Sequence, residues 1–152
     1  MEFRNDLMFP RLAVGDRDEL LATLGGAVAG AGLAKPGYVD ALQQREREFP
    51  TGLPLSGGVA IPHTSADHVT GNTIAVASLA EPVVFHEMGG DQESRVDVST
   101  VFMLVFADAA NHVPLLSHMI GKLQDADFVA AVRDADDPAA VVALMEQAFA
   151  GV

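Results

Sequence analysis

Apolar positions cluster most densely at residues 96–106, where Val98, Val101, Phe102, Leu104 and Val105 follow one another with little polar alternation. A strand with one wet face alternates, so this continuity predicts a central strand covered on both faces. Residues 73–79 form a second run, rich in β-branched side chains, and residues 59–61 a short apolar one that stops at Pro62. A short strand is expected within residues 8–14, and another at 83–85 after a turn at Glu81-Pro82. Helical patterns flank these strands. Asp16 or Asp18 can cap a helix running to about Gly30, and a second starts near Pro36 and carries Tyr38, Val39, Leu42 and Arg45 to about Glu48. Towards the end of the chain come residues 112–123 behind a cap at Asn111, residues 126–134 behind Asp125, and residues 138–149 behind Asp136 or Asp137 with Pro138 in the first turn. Residues 51–58, punctuated by glycine and proline, read as loop, and residues 89–94 as a turn. Helices at both ends with strands between predict an α/β (α+β) chain whose sheet is sandwiched between helical layers.

Composition narrows what such a chain can do. Its 152 residues suit one domain spanning 1–152, and no repeat or Ser/Gly- or Pro-rich linker divides it. There is no cysteine, so neither a disulfide framework nor a thiolate metal site is available, as suits a cytoplasmic location. The first ten residues include Glu2, Arg4, Asn5 and Asp6 and form no signal-peptide core. No stretch reaches the roughly 18 apolar residues of a membrane helix, so no membrane insertion is expected. The formal charge is -12, which repels nucleic acid and favours a partner with a basic face. Solubility alone is an equally good reason for most of that charge.

No phosphate loop, nucleophile elbow or His-Glu-x-x-His motif is present. The chemistry therefore falls to five histidines, His63, His68, His86, His112 and His118. His63 stands out by context. Pro62 fixes its own φ and biases Ile61 toward extended geometry, so the imidazole follows directly on a strand end, where ligands bind in open α/β sheets. A neutral ring nitrogen there can attack phosphorus; an ordinary loop histidine is the competing interpretation. His112 falls at an expected helix start, which favours anions, or is a surface residue. His118 reads as structural, His86 as a rim or strand-end residue, and His68 as a loop residue. No histidine pair has helical i,i+4 spacing, which weighs against a zinc site. Arg45 either clamps a phosphate or is a favourable cation at a helix C-terminus. Glu46, Arg47 and Glu48 read as a solvated charged face.

Arg45-Glu46, Phe49-Pro50-Thr51-Gly52-Leu53, Gly58-Val59-Ala60-Ile61-Pro62-His63, His112-Val113-Pro114-Leu115-Leu116 and Gly121-Lys122-Leu123 together resemble the enzyme IIA domain of the phosphoenolpyruvate-dependent sugar phosphotransferase system. The similarity is to its mannitol/fructose superfamily, and Pro50-Thr51-Gly52-Leu53 looks most like the galactitol-type branch. The resemblance implies a mixed sheet in a three-layer α/β/α arrangement. It implies a phosphotransferase that takes a phosphoryl group from HPr on His63 and passes it to a IIB component, which serves a membrane IIC component in sugar uptake. His112 would be the second active-site histidine and Arg45 the arginine of the Arg-Glu motif. Neither metal nor nucleotide cofactor is implied. With no IIB or IIC sequence attached, those partners would be separate polypeptides. Part of the superfamily regulates nitrogen metabolism instead, so a regulatory module switched by phosphorylation of His63 is the alternative.

Overall fold

In the computed structural model, which describes residues 1–91 and 93–152 and the side chains of all of these except 109–111, the expected central strand lies at the centre of the sheet. Strands β1 (Met8–Leu12), β2 (Gly52–Leu53), β3 (Val59–Ala60), β4 (Thr73–His86) and β5 (Arg95–Val105) form one sheet in the order β1-β4-β5-β3-β2. β1 runs parallel to β4, β4 antiparallel to β5, β5 parallel to β3, and β3 antiparallel to β2, so the sheet is mixed.

Side-chain alternation splits the apolar residues between two cores. Ile74, Val76, Phe102 and Leu104 point to one face and Ala75, Ala77, Val101 and Met103 to the other. The second face is covered by α1 (Arg17–Gly30) through Leu20, Leu24 and Val28, and by α2 (Tyr38–Glu48) through Tyr38 and Leu42. The first is covered by α3 (Ala109–Leu123), α4 (Ala126–Asp134) and α5 (Pro138–Ala148), through Met119, Leu123, Val129, Val132, Val141 and Met145. This is the expected three-layer sandwich. Three of the expected caps form. The carboxylates of Asp16, Asp125 and Asp137 accept backbone N–H groups of the first turns of α1, α4 and α5.

Local departures have physical reasons. The strands expected at 73–79 and 83–85 are one strand, because a register shift between Ser78 and Val83 takes Pro82, which has no N–H to give, out of the ladder. β2 lies inside the expected loop at 51–58. Two residues carry no periodicity, and this pair exists because Gly52 pairs with Ala60 while its carbonyl accepts the Met88 N–H at 2.8 Å. α2 starts at Tyr38 rather than near Pro36, since Gly37 takes a left-handed φ of 87° as its N-cap. α3 starts at Ala109, before Asn111; the expected Asn111 cap lies outside the described residues. The described residues contain no helix long and apolar enough to cross a membrane.

Gly58 sets the approach of β3 to β5. Its carbonyl accepts the N–H groups of both Ser99 and Thr100, and its φ is 88°. A Cβ there would collide with the Asp97 carbonyl oxygen. Gly58→Ala is therefore expected to lower unfolding free energy by roughly 3 kcal/mol or more, measured by urea denaturation. Wild-type stability in that variant would mean that β3 does not dock on β5 in this way.

Candidate functional site

Because β3 and β5 are parallel, both deliver their C-terminal ends to the same edge of the sheet. β3 runs on through Ile61 and Pro62, whose carbonyl accepts the Leu104 N–H at 2.9 Å, into His63. β5 runs on into the buried Phe106 and then to α3, which carries His112. β2 is antiparallel to β3, so its entry, Thr51, comes to this edge too, directly behind the end of α2 that bears Arg45. One sheet edge thus collects three segments that are far apart in sequence.

The side chains meet there. The His63 and His112 rings lie edge-to-face with centroids 5.7 Å apart, and His112 packs edge-on against Phe106 at 5.4 Å. Arg45 and His63 line one cavity of about 370 Å³ together with Phe49, Thr51, Met88 and Leu116. The Arg45 guanidinium carbon sits 4.4 Å from the centre of the Phe49 ring, a cation–π contact that orients it without neutralising it. The structure therefore brings His63, His112 and Arg45 together.

The tautomer of His63 follows from its bonds. Its Nδ1 is 2.8 Å from the Ile61 carbonyl oxygen. A carbonyl only accepts, so Nδ1 carries the hydrogen and a neutral ring bears its lone pair on Nε2. Burial pushes the imidazole pKa below its ordinary value; the Ile61 bond opposes this, while His112 and Arg45 add to it. A neutral ring thus presents its Nε2 lone pair beside His112 and Arg45, an arrangement suited to receiving a phosphoryl anion.

The other histidines lie apart. His118 bonds through Nε2 to the Ala148 carbonyl at 2.8 Å and packs on Phe149, tying α3 to the end of α5. His68 belongs to a short 3-10 turn whose carbonyl accepts the Lys35 N–H. His86 lines a neighbouring cavity of about 380 Å³ with Arg17 and Arg47. Among the described residues no group of three or more His, Cys, Asp or Glu could hold a metal ion.

Glu46 is buried, contrary to the sequence expectation. It was expected on a solvated face, yet it is 1% exposed. Its carboxylate accepts the Thr51 N–H at 2.6 Å and the Thr51 hydroxyl at 2.7 Å. The signal was present in the spacing: Tyr38, Leu42 and Glu46 recur every four residues and form the buried face of α2. Read as one of a run of charges, Glu46 looked wet; read by period, it belongs inside. Arg47 and Glu48 are exposed as expected.

Residues 1–148 match the family model for the phosphoenolpyruvate-dependent sugar phosphotransferase system, EIIA 2. The galactitol-specific EIIA component of Escherichia coli (strain K12) is 34% identical over 115 residues, covering 75% of each chain. Among solved structures, the complex of enzyme IIAMTL and phosphorylated enzyme IIBMTL from Escherichia coli matches with TM-score 0.77 and 19% identity, covering 96% of this chain and 98% of that one. The nitrogen regulatory protein IIA-Ntr from Neisseria meningitidis matches with TM-score 0.75 and 25% identity, covering 94% and 95%.

Glu46 gives the site a pH signature. Burial raises its pKa from 4.5 to about 7, against the opposing Thr51 hydrogen bonds and Arg17. The folded state then holds a proton that the unfolded chain releases, so stability is full below pH 4.5 and falls as pH rises to about 7. Glu46→Gln is isosteric with the protonated acid and removes that loss. Unfolding free energies at pH 5 and pH 8 are expected to diverge, with the variant more stable at pH 8 by on the order of 1–3 kcal/mol. Parallel pH profiles would refute the shift.

Proposed function

The chain belongs to the EIIA 2 family of the phosphoenolpyruvate-dependent sugar phosphotransferase system, and from that premise we propose that it is a cytoplasmic phosphocarrier whose His63 Nε2 takes a phosphoryl group from HPr and hands it to a IIB component. The observation that carries this reading is the Nδ1–H to Ile61 bond, which leaves Nε2 as the free lone pair beside His112 and Arg45. In the first step the Nε2 lone pair forms a bond to phosphorus. The bond from phosphorus to the donor breaks, and its electron pair leaves with the donor. The Nδ1 hydrogen stays in place, so no proton need move. The ring gains positive charge, which the Ile61 carbonyl stabilises and which makes the ring a good leaving group. In the second step the IIB nucleophile bonds to phosphorus, and the Nε2–P electron pair returns to the ring.

His112 and Arg45 act on the charge of the phosphoryl group during these transfers, where positioning and electrostatics supply most of the catalysis. Arg45 is exposed and rests on Phe49, so it can follow the group without locking it in place. Around the histidine pair, Phe49, Met88 and Val113 are 56%, 37% and 70% exposed, an apolar rim suited to docking a partner. The acidic surface, -12 overall, would attract basic groups on HPr. The galactitol-specific relatives, together with the Pro50-Thr51-Gly52-Leu53 run, favour coupling to uptake of a galactitol-like sugar over nitrogen regulation.

Incubation with phosphoenolpyruvate, enzyme I and HPr tests the reading. One acid-labile, base-stable phosphoryl group is expected on the protein and none on His63→Ala. An unmodified wild type beside normally charged HPr would end it. His112→Ala is expected to accept the group but to pass it to IIB at least about tenfold more slowly; full onward transfer would remove His112 from the site. Transfer from HPr should slow as salt rises, and a rate independent of salt would contradict electrostatic docking.

A further inference from the structure

His63 does not hold itself in place. Its Nδ1–H is fixed by the Ile61 carbonyl, and that carbonyl is fixed by whatever fixes Ile61. The Ile61 N–H donates to the Thr51 carbonyl at 3.3 Å. Thr51 is 2% exposed and is gripped through both its N–H and its hydroxyl by the Glu46 carboxylate. Glu46 lies in the last turn of α2, next to Arg45, whose carbonyl accepts the Phe49 N–H at 2.7 Å. The imidazole is therefore referenced, through Ile61 and Thr51, to one buried side chain that lies next to Arg45 in the last turn of α2.

We propose that Glu46 and Thr51 are positioning residues for phosphoryl transfer, which set the orientation and tautomer of the His63 ring relative to Arg45 through the Thr51–Ile61 backbone link. This rests on His63 being the phosphoacceptor. The device works by geometry and not by charge. If Glu46 takes up a proton on Oε1, the Thr51 hydroxyl, which both donates and accepts, accepts that proton while the other oxygen still receives the Thr51 N–H. A glutamine at position 46 can do the same with its amide. An apolar residue at position 46 removes both side-chain bonds to Thr51, and the pairing of Gly52 with Ala60 and Met88 is then left to hold this end of β2 without them. The Thr51 N–H would then be left buried without an acceptor.

Charge and geometry separate cleanly in four variants. Thr51→Ser and Glu46→Gln keep both hydrogen bonds; Thr51→Val keeps the backbone N–H bond to Glu46 and loses the hydroxyl bond, and Glu46→Leu loses both. For Thr51→Val, kcat for phosphorylation by phospho-HPr is expected to fall about tenfold or more while KM stays within about twofold, since the docking surface is untouched. Thr51→Ser and Glu46→Gln should keep kcat within about threefold of wild type. In the unphosphorylated protein, 15N spectra of the His63 ring should show a single Nδ1–H tautomer for wild type, Thr51→Ser and Glu46→Gln. Thr51→Val should show a tautomer mixture, and so should Glu46→Leu if it folds. Wild-type kcat and ring shifts in a folded Thr51→Val would overturn the proposal, as would a Glu46→Gln variant as slow as Thr51→Val, which would make charge the operative property. The ring spectra need no phosphoryl donor, so they test the positioning even if His63 proved not to be the acceptor.

Discussion

An imidazole attacks through one nitrogen at a time, and which one depends on where its hydrogen is held. Here the hydrogen bond from His63 Nδ1 to the Ile61 carbonyl makes that choice, and most of the surrounding architecture bears on it. Pro62 keeps the backbone between donor and acceptor extended and cannot offer a competing N–H. The Leu104 N–H holds Pro62 from the β5 side, and Thr51 holds Ile61 from the β2 side. Gly58 lets β3 come close enough to β5 for these bonds to form. A residue that looks like a loop histidine is in fact clamped from both sides of a sheet edge.

The mixed sheet is what makes the cluster possible. Parallel pairing of β3 with β5 sends two chain segments out of the same edge, so His63 and the start of α3 emerge together. Antiparallel pairing of β2 with β3 brings the end of α2 back to meet them. Neither pairing alone would gather two histidines and an arginine. The two helical layers then bury the sheet on both faces, which keeps its edge rigid enough to aim side chains.

Much of this was legible in the chain. The continuous run through Val98 to Val105 announced a strand covered on both faces, and three of the aspartate caps form as expected. The Ile61-Pro62-His63 sequence marked the candidate position because proline geometry is local. The rest depended on contacts that one-dimensional patterns do not carry. β2 is stabilised by Gly52 bonding across to Met88, which no periodicity reveals. The strand through Pro82 looked like two because the bulge that accommodates it depends on β5. Glu46 stands among charged neighbours, so local composition points it to solvent, while its four-residue spacing from Leu42 places it inward. The convergence of His112 and Arg45 on His63 could be inferred from resemblance alone until the sheet order was known.

The claim most open to direct test is that the free nitrogen is Nε2. Phosphorylation of 15N-labelled protein, followed by NMR of the His63 ring, reads out which nitrogen is coupled to 31P. Coupling at Nε2, with the Nδ1 hydrogen retained and protected, is the expected result. Coupling at Nδ1, or a phosphoryl group on any other residue, would contradict it.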